Sequence, residues 1–137
     1  MGTFSASTAV PAFPGATNTR STRLLARIFH ASPDAIVISR LDNGVYVELN
    51  DAWVKLCGYS RDEMVGRSAV DLGIWVHPER REVLVQLLQR EGRVRDFEFQ
   101  LRRKSGDIAV SLMSAEVIDL HGTPCLLAIL IDVTERY

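Results

Sequence analysis

The stretch Phe97-Glu98-Phe99-Gln100-Leu101-Arg102-Arg103-Lys104-Ser105-Gly106-Asp107-Ile108-Ala109-Val110-Ser111-Leu112-Met113-Ser114-Ala115 decides how this chain folds. Phe97, Phe99 and Leu101 alternate with Asp96, Glu98, Gln100 and Arg102, the period of two that gives a strand one buried and one wet face. A second strand is predicted from Ile108 to Ile118, joined to the first across Lys104-Ser105-Gly106. With Gly106 left-handed in a three-residue loop, position 103 pairs with 107 and odd residues face odd residues. Phe97, Phe99, Leu101, Ala109, Ser111, Met113 and Ala115 then share one face.

Toward the C-terminus, Cys125 to Val133 is reached through His121-Gly122-Thr123-Pro124 and is apolar on both parities, as expected of a central strand covered on both sides. Helices in the middle of the chain supply one cover. An N-terminal helix or a partner subunit is expected to supply the other. Toward the N-terminus, Pro78 fits a first helical position and Glu79 the acidic first turn, while Val83, Leu84, Leu87 and Leu88 form an apolar stripe before Gly92. Ser60-Arg61-Asp62-Glu63 has capping-box spacing for a helical turn that stops by Gly66. Asn50 caps a short helix through Trp53 and Leu56 that Gly58 closes.

Further upstream, Ala35 to Ile38 and Val45 to Leu49 are β-branched runs around Asn43-Gly44, which predicts a hairpin with a type I′ turn. Ser21 or Thr22 opens a helix pairing Leu24 with Ile28 and Leu25 with Phe29, and Ser32-Pro33 ends it. Residues 1–20, rich in small and polar residues, read as a flexible arm. The sum is one α+β domain over residues 21–137. It has a five-stranded antiparallel sheet, short helices on one face and the N-terminal helix flanking the other.

The 137 residues carry 16 Lys+Arg against 17 Asp+Glu, a net charge of −1 that gives no general attraction for polyanions, so no nucleic-acid partner is expected. The densest basic run, from Arg80 and Arg81 through Arg93 and Arg95 to Arg103 and Lys104, is interleaved with acids and reads as a solvated face. Cys57 and Cys125 lie apart in apolar segments, which removes the basis for a disulfide framework or zinc site and suits a reducing, cytoplasmic setting. No basic, apolar leader and no long apolar run marks secretion or a membrane span.

Phe29-His30-Ala31-Ser32-Pro33-Asp34-Ala35, Asn50-Asp51-Ala52, Cys57-Gly58-Tyr59-Ser60, Glu63-Met64, Gly66, Phe97-Glu98-Phe99, Arg102-Arg103-Lys104-Ser105-Gly106 and Asp132-Val133-Thr134-Glu135-Arg136 occur in this order. Together they resemble the PAS domain family, the sensory box of bacterial signalling proteins, over nearly all of Leu25 to Arg136. The resemblance implies a PAS fold and a cytoplasmic sensory or dimerisation module, acting as a homodimer and relaying a signal to an effector. That effector would be a histidine kinase, cyclase or transcription regulator. Asp132-Val133-Thr134 looks like the family's Asp-x-Thr exit motif, and because the chain stops at Tyr137 the effector is expected on a missing segment or a separate polypeptide.

In the family, the sheet face toward the short helices lines a ligand cavity. The corresponding residues are Phe97, Phe99, Leu101, Ser111, Met113, Leu126, Ala128 and Leu130, with Trp53 and Trp75 as stacking candidates. Such a wall suits a small apolar or aromatic ligand, or a filled core with none. Flavin is disfavoured: Ala69 stands where flavin-binding relatives carry a reactive cysteine, and Leu101, Ser111 and Leu130 where they carry amides. Haem is disfavoured too, since no metal ligand suggests itself beyond His77, which precedes Pro78 outside the helix interior. Asn50, Asp132 and Thr134 are structural or signalling candidates, and Leu24, Leu25, Ile28 and Phe29 form the dimer or flanking helix.

Two other functions compete with ligand sensing. A small enzyme needs an acid or base on the cavity wall, and these strand positions hold no Asp, Glu, His or Lys, so no catalytic residue is assigned. A ligand-free interaction domain that only dimerises remains the alternative.

Overall fold

A computed structural model describes residues 19–136. The elements in chain order are α1 (Thr19–Ala31), β1 (Ala35–Arg40), β2 (Tyr46–Leu49), α2 (Asp51–Cys57), α3 (Arg61–Met64), α4 (Glu79–Glu91), β3 (Arg93–Arg102), β4 (Ile108–Leu120) and β5 (Thr123–Asp132). A short 3-10 turn, Thr134–Arg136, follows. The five strands form one antiparallel sheet in the order β2-β1-β5-β4-β3, so the last strand lies at its centre. Most of the expected arm, residues 1–18, lies outside the described residues, and α1 begins two residues before Ser21.

The β3–β4 hairpin has the expected register. Arg103 N–H donates to the Asp107 carbonyl at 2.8 Å, Gly106 has φ +99°, and Leu101, Phe99 and Phe97 pair with Ala109, Ser111 and Met113. All seven odd residues on that face are buried. Beyond Phe97 a bulge intervenes: Asp96 takes φ +51° and Ala115 pairs with Val94, which is half-buried against the core while Arg93 and Arg95 are exposed.

The predicted type I′ turn at Asn43-Gly44 does not form. Only Gly44 takes positive φ, and Asn43 turns its carboxamide oxygen to accept from Val45 N–H at 2.9 Å. Arg40 N–H then reaches the Val45 carbonyl across a four-residue loop. The side chain's local hydrogen bond competes successfully with the left-handed backbone that Asn tolerates. A two-residue loop with both residues left-handed occurs at His121-Gly122, φ +52° and +84°, between the paired Leu120 and Thr123. Strand β5 consequently starts at Thr123 and includes Pro124.

Caps end the short helices where local chemistry requires. Asn50 accepts from Trp53 N–H and Gly58 closes α2 at φ +85°. Ser60 and Glu63 form the reciprocal capping box of α3. Pro78 precedes α4 with helical dihedrals. The buried face of α4 is Leu84 and Leu88, flanked by Val85 and Leu87, whereas Val83 is exposed, because α4 meets the core along a narrower stripe than expected.

The main core lies between the sheet's inner face and α2, α3 and α4, with Trp53, Leu49, Met64, Ile74, Leu84 and Leu101 among its fully buried members. The outer face carries a smaller cluster of Ile38, Leu120 and Cys125. Of the four apolar residues expected of α1, Phe29 is buried, but Leu24, Leu25 and Ile28 are exposed, at 56%, 36% and 58%. Within a single chain these three do not complete a second layer on the sheet. Ile129 and Ile131 of β5 remain exposed there too. Among the described residues no helix is long and apolar enough to cross a membrane, and no metal-binding cluster occurs.

Candidate functional site

Between the sheet and the helices lies a cavity of about 40 Å³, counted as space open to water centres. Of the residues assigned to such a wall from sequence, Trp53, Trp75, Phe99, Met113, Leu126, Ala128 and Leu130 line it. Phe97, Leu101 and Ser111 share the buried face but not the cavity. Phe97 lies under the Arg80 guanidinium, 4.2 Å from its ring centroid, Leu101 bridges to Trp75, and Ser111 is fully buried with its hydroxyl unpartnered. The strand period is right for these three, which are buried on the inner face without bordering the cavity. Trp75 packs on Phe99 at 4.6 Å and Trp53 on Tyr46 at 6.2 Å between ring centroids.

The polar part of the wall was not anticipated. Ser39 and Tyr46, cross-strand partners on β1 and β2, and Arg81 of α4 all line the cavity. Burial pushes the Tyr46 phenol far above its ordinary range, so it stays protonated and can donate. Arg81, expected on a solvated face, is half-buried at the rim, where it donates to the Leu41 carbonyl at 3.1 Å. A Cβ on Gly44 would stand 3.0 Å from Arg81 Nε, so the absence of a side chain there lets the guanidinium lie down. The Asn-Gly dipeptide signals a turn and carries no sign of an arginine 37 positions later.

Asn50 links this site to α1. Its carboxamide oxygen accepts from Ile36 N–H at 2.9 Å and Trp53 N–H at 3.1 Å, while its nitrogen donates to the carbonyls of Phe29 and Asp34 at 2.9 and 3.0 Å. One fully buried side chain thus ties the last turn of α1, the start of β1 and the cap of the helix that carries Trp53.

A second junction holds the C-terminal end of the sheet. Thr134 donates its hydroxyl to the Asp132 carboxylate, and the same hydroxyl accepts from Val110 N–H at 2.9 Å. Arg103 reaches Asp132 at 3.1 Å. Burial would raise the Asp132 carboxyl, but the Thr134 hydrogen bonds and the Arg103 charge outweigh it and hold the group below its usual value. Next to Arg103, Lys104 pairs with Glu63 at 2.7 Å and donates its backbone N–H to the Cys57 carbonyl, so the same hairpin grips α2 and α3. Cys57 and Cys125 are both buried, and burial pushes the Cys57 thiol up to about 11.

The family model of the PAS fold matches residues 23–133. The chain belongs to the PAS family. Its fold is similar to the PAS domain of an HTR-like protein from Haloarcula marismortui, with 24% identity, a TM-score of 0.72, and coverage of 83% of this chain and 93% of that one. A PAS domain from a two-component sensor histidine kinase gives 16% identity and a TM-score of 0.73, covering 82% and 96%. The PAS domain of a LuxR-family transcriptional regulator from Burkholderia thailandensis, in complex with ethanol, gives 17% and 0.63, covering 79% and 96%. No curated protein matches the chain. PAS domains are sensory, generally non-catalytic modules of histidine kinases and other signalling proteins. In this PAS domain Ala69 and Leu130 line the cavity, and His77 is a surface residue 3.9 Å from Glu79.

Proposed function

We propose that this PAS domain senses a small molecule in the cavity beside Trp53 and passes the change to α1 and to an effector, acting as a cytoplasmic homodimer. The observation that carries the reading is the Asn50 linkage. The side chain that caps the cavity helix also holds the last turn of α1 through the Phe29 carbonyl. A ligand that favours one placement of α2 shifts the population of α1 arrangements by its differential affinity for the two. Exposed Leu24, Leu25 and Ile28 on one amphipathic helix support α1 as the dimer contact. The effector suited to such a module is a kinase, cyclase or transcription-control domain.

Neither flavin nor haem fits this cavity. Its volume is far below the several hundred Å³ of a typical cofactor site. Its lining includes no Asn or Gln to hold a flavin edge and no His or Cys to hold an iron.

The test fills the cavity without any ligand. Ala128→Val adds two methyl groups to the wall at the centre of β5, and hydrogen exchange is compared with the parent. Changed exchange in α1 and in residues 134–136, with β3 unaltered, is expected. Unchanged exchange in α1 overturns the coupling.

A further inference from the structure

We propose that the cavity takes a short-chain monocarboxylate of about two to four carbons, a size set by its volume when one water needs roughly 10–15 Å³ by the same measure. The inference rests on the sensory reading and names the ligand class.

The charge pattern of the wall carries it. Arg81 is the lining's one charged residue, and Asp, Glu and Lys are absent from it. Among the described residues no carboxylate lies within ion-pair distance of the Arg81 guanidinium. Its hydrogen bond to the Leu41 carbonyl uses one of five N–H donors. Ser39 and Tyr46 are buried on the same wall and bring two hydroxyl-bearing side chains to it. Three donor groups with no anionic partner, at the rim of an otherwise apolar space, are complementary to a ligand with an anionic head and a hydrocarbon tail. An anion buried here keeps compensation for its lost hydration because a guanidinium and hydroxyls receive it. The tail meets Trp53, Trp75 and Ala128. An alcohol of equal length fills the same space without using the positive charge.

Trp53 and Trp75 are the only tryptophans, and both line the cavity, so the intact chain reports occupancy by its own fluorescence. Sodium propionate and 1-propanol are titrated separately at ionic strength held constant with sodium chloride, and the Ala128 methyl resonance locates the bound molecule. Propionate is expected to saturate at concentrations about tenfold lower than propanol, the difference one charge-assisted contact supplies. In Arg81→Gln the propionate affinity falls about tenfold while that for propanol is unchanged. Propanol binding as tightly as propionate in the parent overturns the inference whether or not the variant folds, and so does propionate affinity surviving in Arg81→Gln. Either result leaves small-molecule sensing standing, since the cavity is still filled. If neither compound saturates, the inference fails, and the cavity is removed from the sensory reading as well.

Discussion

Asn50 has no exposed surface and makes four hydrogen bonds with its side chain, two as acceptor and two as donor. Asn50→Ala strands two N–H groups and two carbonyls, and a loss of about 2–4 kcal/mol in urea denaturation is expected. Asn50→Asp keeps the cap but turns a carboxylate toward two carbonyl oxygens, so it should be nearly as costly. Asp132 is a pH-dependent case. Its folded carboxyl is held below the ordinary value, so its contribution to stability is present above that value and lost as the pH falls through the folded one. The group is over a third exposed, which limits the effect to about 1 kcal/mol. Asp132→Asn should therefore lower the melting temperature at pH 7 and approach the parent as the pH falls through the lowered folded pKa, as thermal denaturation across pH will report. The role of Asn50 as a cap was legible from its place before an apolar helical segment. The carbonyls of Phe29 and Asp34 were not, because no local pattern encodes which backbone comes back to meet a side chain.

The β3–β4 hairpin and the capped helices are elements whose determinants lie within a few residues, and they form as their sequence directs. Ser60→Ala removes half of the reciprocal cap of α3, and a loss of about 1 kcal/mol is expected from chemical denaturation. Helix α1 is amphipathic by sequence, yet it exposes three of its four large apolar residues in the single chain. If its stripe is the dimer contact, Ile28→Glu should convert a dimer to a monomer in sedimentation with unchanged circular dichroism. A parent that is monomeric at all concentrations contradicts that role. The hairpin at Asn43-Gly44 departs from its dipeptide signal because a side-chain hydrogen bond from Val45 N–H offered the backbone another turn.

Over the whole molecule, β5 pairs with β1 on one side and β4 on the other, and its inner residues Ala128 and Leu130 sit at the middle of the core. Their amides should exchange only through global unfolding, while α1 exchanges by local opening. Hydrogen-exchange mass spectrometry or NMR checks this order, and protection in α1 equal to that in β5 contradicts it. The sequence by itself determined the sheet-and-helix composition, the β3–β4 register and the caps, because periodicity, turn chemistry and capping act over a few bonds. Only the tertiary structure decided that Ser39, Tyr46 and Arg81 share one cavity while Phe97, Leu101 and Ser111 do not. The physical reason is that a cavity is what packing leaves over. Its walls depend on how α4 lies against the β1–β2 turn, a meeting of distant segments that no local pattern of residues specifies.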